Sequence, residues 1–206
     1  LKVLITQLKN LGVLIDDKTV NYDSLEGRNL IQKYKIKKAP SLLLSKDSQE
    51  YSLITNVWDN IGTKESDGTL VLRSINPPYK DLETGEIKRL PSITFITDNN
   101  CAKCYNVSLH KALLASNFGM AFEDEKHIDV SSKEGTRLAN KYRLTFAPTV
   151  IISTEAKEYS GFKEAWKQVG DVAVDGSFVF TKPELLEGMT YKDLKSRTEI
   201  SAGLKK

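Results

Sequence analysis

Short apolar runs alternate with amphipathic stretches along the second half of the chain, and this alternation predicts a series of strands and helices. Residues 92–97 are rich in β-branched and aromatic side chains, which is typical of a buried strand. A helix is predicted over residues 101–118, with Leu109, Ala112 and Leu113 on its inner face. A polar turn separates the two elements.

The remaining elements follow the same alternation. They are predicted, in chain order, as a strand at 127–130, a helix at 132–142, a strand at 149–153 with a hairpin partner at 157–160, a helix at 162–169 and a hairpin around Asp175-Gly176. The helix at 132–142 is expected to begin at a capping box, Ser131-x-x-Glu134. This order predicts a mixed α/β sheet with helices on both faces.

An internal repeat covers much of the chain. Residues 21–73 align without a gap on residues 129–181, with 17 identities in 53 positions. The shared residues include Gly27 and Gly135, Tyr34 and Tyr142, Pro40 and Pro148, Tyr51 and Tyr159, and Trp58 and Trp166. Solenoid repeats have periods of about 20–50 residues, so this longer period indicates two tandem domains. The shared tryptophans and tyrosines are interpreted as structural.

The domain boundary is predicted in the polar, Pro/Gly-containing segment 77–85, which gives domains at residues 1–88 and 89–206. The sequence Tyr-Lys-Asp-Leu recurs at 79–82 and 191–194, so each copy ends with the same extension. A further helix is predicted at the start of the chain, over residues 1–11.

Composition narrows the function classes. Hydrophobic residues make up 40% of the 206 residues and charged residues 28%, which is ordinary for a globular protein. The net charge of +3 is small and the charges are interspersed, so no nucleic-acid partner is expected. No apolar run approaches the ~18 residues of a membrane span. The two cysteines exclude a disulfide-rich scaffold.

Those two cysteines form the one motif with obvious chemistry, Cys101-Ala102-Lys103-Cys104, after a strand and at the predicted start of a helix. Three residues of separation at a helix N-terminus bring two sulfurs within disulfide reach. The helix end favours a thiolate on Cys101, which would attack or be attacked, while Cys104 would resolve. Lys103 either lowers the thiolate pKa of Cys101 or is a solvated charge.

A second motif lies downstream, where the helix ending at Tyr142 leads through Phe146-Ala147-Pro148 into an aliphatic strand. Together with the C-x-x-C and the element order, it resembles the thioredoxin superfamily. The resemblance covers about residues 91–170 and, through the repeat, about 1–62. Two tandem thioredoxin folds, each with an extra hairpin after its last helix, also resemble the protein disulfide oxidoreductases.

The resemblance implies that Pro148 is cis and lies against the cysteine pair, and that the Phe146-Ala147 backbone accepts an extended substrate segment. It also implies that Pro40 repeats this geometry, but no cysteine is visible beside it. Two positions depart from the family pattern: Asn100 stands where the family has tryptophan, and Phe95 stands where it has a buried acid.

The leading hypothesis is therefore a thiol–disulfide oxidoreductase that exchanges disulfides with protein or peptide thiols through Cys101 and Cys104. No cofactor is expected beyond the disulfide. A metal is not expected either, because one C-x-x-C with His110 or His127 falls short of a usual zinc site. The first rival is a redox-inactive protein-binding module with a structural disulfide. The second is a redox sensor or an assembly factor for a metal centre.

Two further expectations concern the start of the chain. The position that matches Cys101 in the first copy falls about seven residues before Leu1, so the opening strand of that copy and any C-x-x-C of its own would lie upstream. If that strand is absent, the first domain has an open sheet edge, which invites pairing with a second copy into a homodimer. The absent initiator methionine suggests that an upstream signal or anchor was removed, which favours an extracytoplasmic location, secreted or membrane-anchored, over a cytoplasmic one.

Overall fold

A computed structural model of the chain describes residues 2–203, and its contacts divide the chain into two compact units, Leu1–Lys88 (unit 1) and Arg89–Lys206 (unit 2). The described residues form a mixed α/β protein with six α-helices and several sheets, including a mixed five-stranded sheet. The opening helix is observed over Lys2–Asn10, and the first residue predicted for it, Leu1, lies outside the described residues.

Unit 1 contains three helices and two small antiparallel sheets. Its elements are α1 (Lys2–Asn10), α2 (Leu25–Tyr34), β1 (Lys38–Ala39), β2 (Leu43–Leu44), α3 (Ser52–Ile61), β3 (Gly62–Lys64), β4 (Leu70–Leu72), β5 (Tyr79–Asp81) and β6 (Ile87–Lys88). The sheet orders are β2-β4-β3 and β1-β5-β6, so β2 lies at an edge within the described residues. Pairing of that edge with a second copy stays a prediction.

The segment 77–85 is part of unit 1 and not a loose linker. It contains β5, which pairs with β1 so that Lys80 lies opposite Ala39. The Oδ1 atom of Asp81 accepts the backbone N–H groups of Glu83 and Thr84, both at 2.9 Å, and these bonds close the turn into β6. The polar residues that suggested a linker therefore form a hairpin.

Unit 2 contains the five-stranded sheet. Its elements are β7 (Ser92–Thr97), α4 (Leu109–Phe118), β8 (Asp124–Asp129), α5 (Lys133–Tyr142), β9 (Phe146–Ala147), β10 (Thr149–Ile152), α6 (Phe162–Trp166), β11 (Gly170–Val172), β12 (Phe178–Phe180), β13 (Thr190–Asp193) and β14 (Glu199–Ser201). The strand order is β11-β12-β10-β7-β8, with β7 and β8 parallel and the other pairs antiparallel. A second sheet has the order β14-β13-β9.

Alternate residues of the central strands enter two cores, one on each face of the sheet. Phe95 and Val150 pack with Leu114 of α4 and Trp166 of α6 on one face. On the other face, the strand residues pack with Leu138 of α5. Since successive strand side chains point to opposite faces, the apolar runs are buried on both sides, and helices cover both faces.

The structure corrects several predicted elements. The helix predicted over 101–118 begins only at Leu109, and its buried residues are His110 and Leu114, whereas Ala112 and Leu113 are exposed. Residues at i and i+4 share a helix face, and here that face passes through 110 and 114. The segment predicted as a hairpin partner, 157–160, is not a strand, because its first two residues end a 3₁₀ helix, Thr154–Glu158, and β12 pairs with β10 instead.

The start of α5 is shifted by one residue from the predicted capping box. Ser132, and not Ser131, is the N-cap, and its side chain accepts the N–H of Gly135 at 2.9 Å. The neighbouring Ser131 hydroxyl donates instead to the Asp129 carboxylate. Ser24 caps α2 in the same way by accepting the Gly27 N–H at 3.0 Å.

Candidate disulfide site

Cys101 and Cys104 form a disulfide in the loop between β7 and α4, with their Cα atoms 5.4 Å apart. The loop is held in turns, because Asp98 Oδ1 accepts the Asn100 N–H at 2.8 Å and the Tyr105 N–H donates to the Thr190 carbonyl at 2.8 Å. These bonds replace the helical bonds that the sequence predicted. The cysteines therefore do not lie at a helix N-terminus, and the expectation that a helix end favours a Cys101 thiolate is wrong.

The two sulfurs have different surroundings. Cys101 is 8% exposed, and its Sγ lies 3.6 Å from Oε1 of Glu199 on β14. Cys104 is half-buried, and its Sγ lies 3.8 Å from the Ala147 carbonyl oxygen on β9. Lys103, between the cysteines, is exposed, so its effect on a thiolate stays a prediction.

Pro148 and its neighbours lie beside the disulfide. The Ala147–Pro148 peptide bond is cis, and Phe146 and Ala147 are 4% and 0% exposed. Their strand β9 is already paired with β13, since Lys192 lies opposite Ala147 and Asp193 opposite Phe146. The hairpin β13–β14 of the same unit thus occupies one edge of the strand that the resemblance assigned to a substrate, and β9 is the terminal strand of this sheet within the described residues.

An ion pair ties this hairpin to the cysteine loop. Lys192 Nζ lies 2.9 Å from Asp98 Oδ2, and the two side chains are 19% and 5% exposed. Breaking a pair this buried leaves one charge without its partner, which is strongly destabilising. Asp98, Lys192 and Glu199 were not identified as site residues from the sequence. The repeat of Tyr-Lys-Asp-Leu in both copies could have pointed to Lys192.

Asp129, at the end of β8, holds the other side of the loop. Its Oδ2 accepts the Asn99 N–H at 2.6 Å. Partial burial raises the pKa of Asp129, but hydrogen bonds from Ser131 and Asn99 outweigh it, so the pKa lies below its ordinary value. The carboxylate is therefore charged at neutral pH and remains an acceptor for the loop.

A buried hydrogen-bond chain connects α4 to the cis proline. The Tyr105 hydroxyl donates to the Pro148 carbonyl at 2.9 Å, and the His110 Nε2 lies 2.9 Å from the same hydroxyl. Because a carbonyl oxygen can only accept, the one hydroxyl proton of Tyr105 goes to Pro148. The Nε2–H group of His110 therefore donates to the Tyr105 oxygen. Burial lowers the pKa of His110 to about 4 and raises the pKa of Tyr105, so both groups are neutral at pH 7.

Unit 1 repeats part of this site. Its Ala39–Pro40 peptide bond is cis, and β1 pairs with β5 as β9 pairs with β13. The cysteines and histidines of the chain all lie in unit 2. Among residues 2–203, His, Cys, Asp and Glu form no cluster of three or more that would hold a metal ion. No helix in that range is both long enough and apolar enough to cross a membrane.

Comparisons with models of protein families, with curated proteins and with solved structures returned no match. The class that the fold and the site define is a mixed α/β protein with a covered C-x-x-C disulfide beside a cis proline. Its function has to be argued from that site.

Proposed function

We propose that the protein is a thiol–disulfide oxidoreductase of the tandem thioredoxin-like kind, acting on protein or peptide thiols. The observation that carries this proposal is the Cys101–Cys104 disulfide next to the cis Ala147–Pro148 bond, with Cys104 Sγ 3.8 Å from the Ala147 carbonyl.

The reaction requires no cofactor. A substrate thiolate attacks one sulfur of the Cys101–Cys104 bond, forms a mixed disulfide and releases the other cysteine as a thiolate. A second substrate thiolate then attacks the substrate sulfur of the mixed disulfide. The substrate dithiol loses two electrons and becomes a disulfide, while the cysteine pair gains them. The reverse sequence reduces a substrate disulfide.

Insulin reduction by dithiothreitol and refolding of scrambled ribonuclease test the proposal. We expect the wild-type protein to accelerate at least one of the two reactions, and both Cys101→Ser and Cys104→Ser to abolish multiple turnover. Ala102→Ser is the matched control, because it changes an exposed residue of the same loop and leaves both sulfurs. Wild-type activity no greater than that of Cys101→Ser would overturn the proposal.

A second candidate is a redox-inactive binding module with a structural disulfide. It is favoured by the 8% exposure of Cys101 and by the hairpin β13–β14, which places Glu199 Oε1 3.6 Å from Cys101 Sγ. The alkylation rate of the reduced cysteines as a function of pH separates the two functions. Thiol pKa values near or above ~8.5 favour the inert module, and a clearly lower value favours exchange.

For the location we propose an extracytoplasmic compartment, where disulfides persist, whereas cytosolic thiols are kept reduced. Determining the redox state of Cys101 and Cys104 in the native host by rapid acid quenching and alkylation tests this. A largely reduced pair would contradict the extracytoplasmic location.

A further inference from the structure

We propose that Tyr105 and His110 are positioning residues for the exchange reaction, and that they hold Cys104 beside the cis-proline strand while the S–S bond is open. This inference rests on the proposed function, and it assigns a role to two polar side chains that the exchange steps do not use. It is carried by the contacts of Tyr105, by the enclosure of His110 and by the anchors at each end of the cysteine loop.

Tyr105 connects the cysteine loop to the cis-proline segment. It follows Cys104 directly, and its hydroxyl donates to the Pro148 carbonyl at 2.9 Å. One residue earlier in both segments, Cys104 Sγ lies 3.8 Å from the Ala147 carbonyl oxygen. Two neighbouring contacts thus join the same two segments, one through a sulfur and one through a phenol.

The two contacts depend differently on the S–S bond. The bond restricts the Cys104 sulfur to the neighbourhood of Cys101, but only while it is closed. The hydrogen bond from Tyr105 to Pro148 contains neither sulfur, so opening the S–S bond removes none of its atoms. It is therefore available to hold the backbone next to Cys104 in the reduced protein and in the mixed disulfide.

His110 fixes the phenol in this position. Its Nε2 lies 2.9 Å from the Tyr105 oxygen, and the residue is only 6% exposed. The imidazole also packs against the buried ring of Phe180, with the ring centroids 4.6 Å apart. Because the Nε2–H group donates to the phenol oxygen, the hydroxyl proton is directed to Pro148. A hydrogen bond that a hydroxyl accepts also strengthens the one that it donates.

The two cysteines have separate backbone anchors. The Cys101 N–H donates to the Asp98 carbonyl at 3.0 Å. Directly after Cys104, the Tyr105 N–H donates to the Thr190 carbonyl at 2.8 Å. The two residues between the cysteines are exposed. Tyr105 therefore provides, through its N–H and its hydroxyl, anchors next to Cys104 that do not depend on the S–S bond.

These anchors matter when the S–S bond re-forms. In the order of attack predicted from the sequence, the Cys101 thiolate attacks a substrate disulfide, forms a mixed disulfide and releases one substrate thiolate. Cys104 then loses its proton to solvent and attacks Cys101 Sγ, so that the second substrate sulfur leaves as a thiolate. Two electrons pass from the cysteine pair to the substrate. A sulfur that is held close to its target reacts at a high effective concentration, and freedom of the loop lowers that concentration.

Tyr105→Phe tests the proposal, because it removes the hydroxyl and keeps the ring. The protein is equilibrated in glutathione redox buffers, and the fraction with the Cys101–Cys104 disulfide is measured by acid quenching and mass spectrometry. We expect this disulfide to be about tenfold less favoured than in wild type, because the reduced loop gains freedom that the closed loop cannot have. A tenfold change corresponds to a potential about 30 mV less negative. An equilibrium constant equal to that of wild type would overturn the proposal.

Tyr159→Phe is the matched control. Tyr159 is 2% exposed and belongs to the same core, but its hydroxyl lies against the Ala121 backbone. This variant should keep the wild-type equilibrium within about twofold, because a general loss of stability lowers both redox forms alike. His110→Leu should shift the equilibrium about threefold in the direction of Tyr105→Phe, and His110→Gln should shift it less, since glutamine retains an N–H donor. Equal shifts in the two His110 variants would exclude His110 from this role.

A measurement on the wild-type protein covers the case in which the variants fail to fold. Nitrogen NMR spectra of the imidazoles are recorded for the oxidised and the reduced protein. We expect His110 to carry its proton on Nε2 in both states and to exchange it more slowly than the exposed His127 does. A change of tautomer on reduction, or exchange as fast as that of His127, would overturn the proposal. If wild-type protein shows no insulin turnover, the proposed function fails, whereas the glutathione equilibrium still decides whether Tyr105 positions Cys104.

Discussion

Units 1 and 2 share the residues that determine their backbone and differ in the residues that fill their cores. In both units a serine caps a helix at the N–H of a glycine, as Ser24 does for Gly27 and Ser132 for Gly135. In both a tryptophan indole donates to a strand carbonyl, from Trp58 to Thr63 at 3.2 Å and from Trp166 to Asp171 at 3.3 Å. The repeat thus preserves caps, turns and core anchors.

The two units also differ in the side chains that fill their cores. In unit 2, β10 has β7 as a neighbour, and aromatic rings such as Phe95, Phe162 and Phe178 fill its core. In the described part of unit 1, the equivalent strand β2 pairs only with β4, and the core consists mainly of aliphatic residues around Trp58. The comparison teaches that one framework accommodates two cores of different composition.

The largest expected effect comes from truncating Phe162 and Ile54, two core residues at equivalent positions of the repeat. Phe162→Ala should lower the free energy of unfolding by about 4 kcal/mol, since Phe162 is 0% exposed and packs against three aromatic rings. The equivalent Ile54→Ala, at 2% exposure, should cost about 3 kcal/mol. Urea denaturation followed by the fluorescence of Trp166 or Trp58 measures each. A smaller cost for Phe162→Ala than for Ile54→Ala would contradict the expectation that the aromatic contacts of Phe162 add to its burial.

The second prediction concerns pH, because both histidines lie in unit 2. The pKa of His110 is about 4 in the folded protein and about 6.5 in the unfolded chain, so the unfolded chain binds more protons between these values. Neutral His110 therefore contributes about 3 kcal/mol to the free energy of unfolding above pH 6.5, and this contribution is lost as the pH falls towards 4.

Urea denaturation between pH 7 and pH 4 measures this loss. His110→Gln should remove the pH-dependent part, whereas His127→Gln, at an exposed position, should retain it. An unchanged pH dependence in His110→Gln would show that other groups cause it. Trp58 fluorescence serves as the unit 1 reference, since that unit has no histidine.

The third prediction concerns the glycine shared by the two helix starts. A Cβ atom at Gly27 would collide with the Asn21 carbonyl oxygen, and one at Gly135 with the Asp129 carbonyl oxygen. Gly27→Ala and Gly135→Ala should therefore each cost about 2 kcal/mol of unfolding free energy. Gly203→Ala is the control, because nothing lies within 4 Å of its added Cβ. Thermal unfolding compares the variants, and similar melting temperatures for all three would refute the steric explanation.

The smallest expected effect lies at a tyrosine–aspartate pair that both units contain. Tyr34 donates to Asp67 Oδ2 and Tyr142 to Asp175 Oδ2, both at 2.9 Å. Tyr34→Phe and Tyr142→Phe should each cost about 1 kcal/mol. In the Asp175→Asn background the cost of Tyr142→Phe should shrink, and a double-mutant cycle measures that coupling. Additive costs would show that the bond contributes nothing to stability.

The pKa values of Asp67 and Asp175 predict how the stability of the protein changes with pH. Lys33 first, and then Thr69 and Tyr34, hold the pKa of Asp67 well below its ordinary value, and Lys141 does so for Asp175. The stabilisation is therefore present above the ordinary carboxyl pKa and is lost as the pH falls below about 4. Solvent and salt screen these exposed pairs, so the loss should decrease at high ionic strength.

Local pattern was sufficient for β7, for α5 and for the Asp175-Gly176 turn, because each depends on residues close together in the chain. It failed for residues 101–108. A C-x-x-C followed by amphipathic sequence favours a helix, but the Tyr105 N–H is bound to Thr190, a residue far away in the sequence. Tertiary hydrogen bonds of this kind override local propensity.

The candidate site divides in the same way. Cys101 and Cys104 were identified from their spacing, and Pro148 was identified through the family resemblance, which rests on a local Ala-Pro before a strand. Glu199 was not identified, because it lies 98 residues from Cys101 and reaches it only through the pairing of β13 with β9 and β14. Periodicity carries no information about which hairpin closes over which loop.

The sequence by itself determined the duplicated framework, since caps, turns and apolar faces are set by residues a few positions apart and recur in both copies. The tertiary structure alone decided how the disulfide is covered, which sulfur is enclosed and which carboxylate lies beside it. Those features depend on strand pairs that bring distant segments together, and the physical reason is that burial and charge at a sulfur are properties of its surroundings in space.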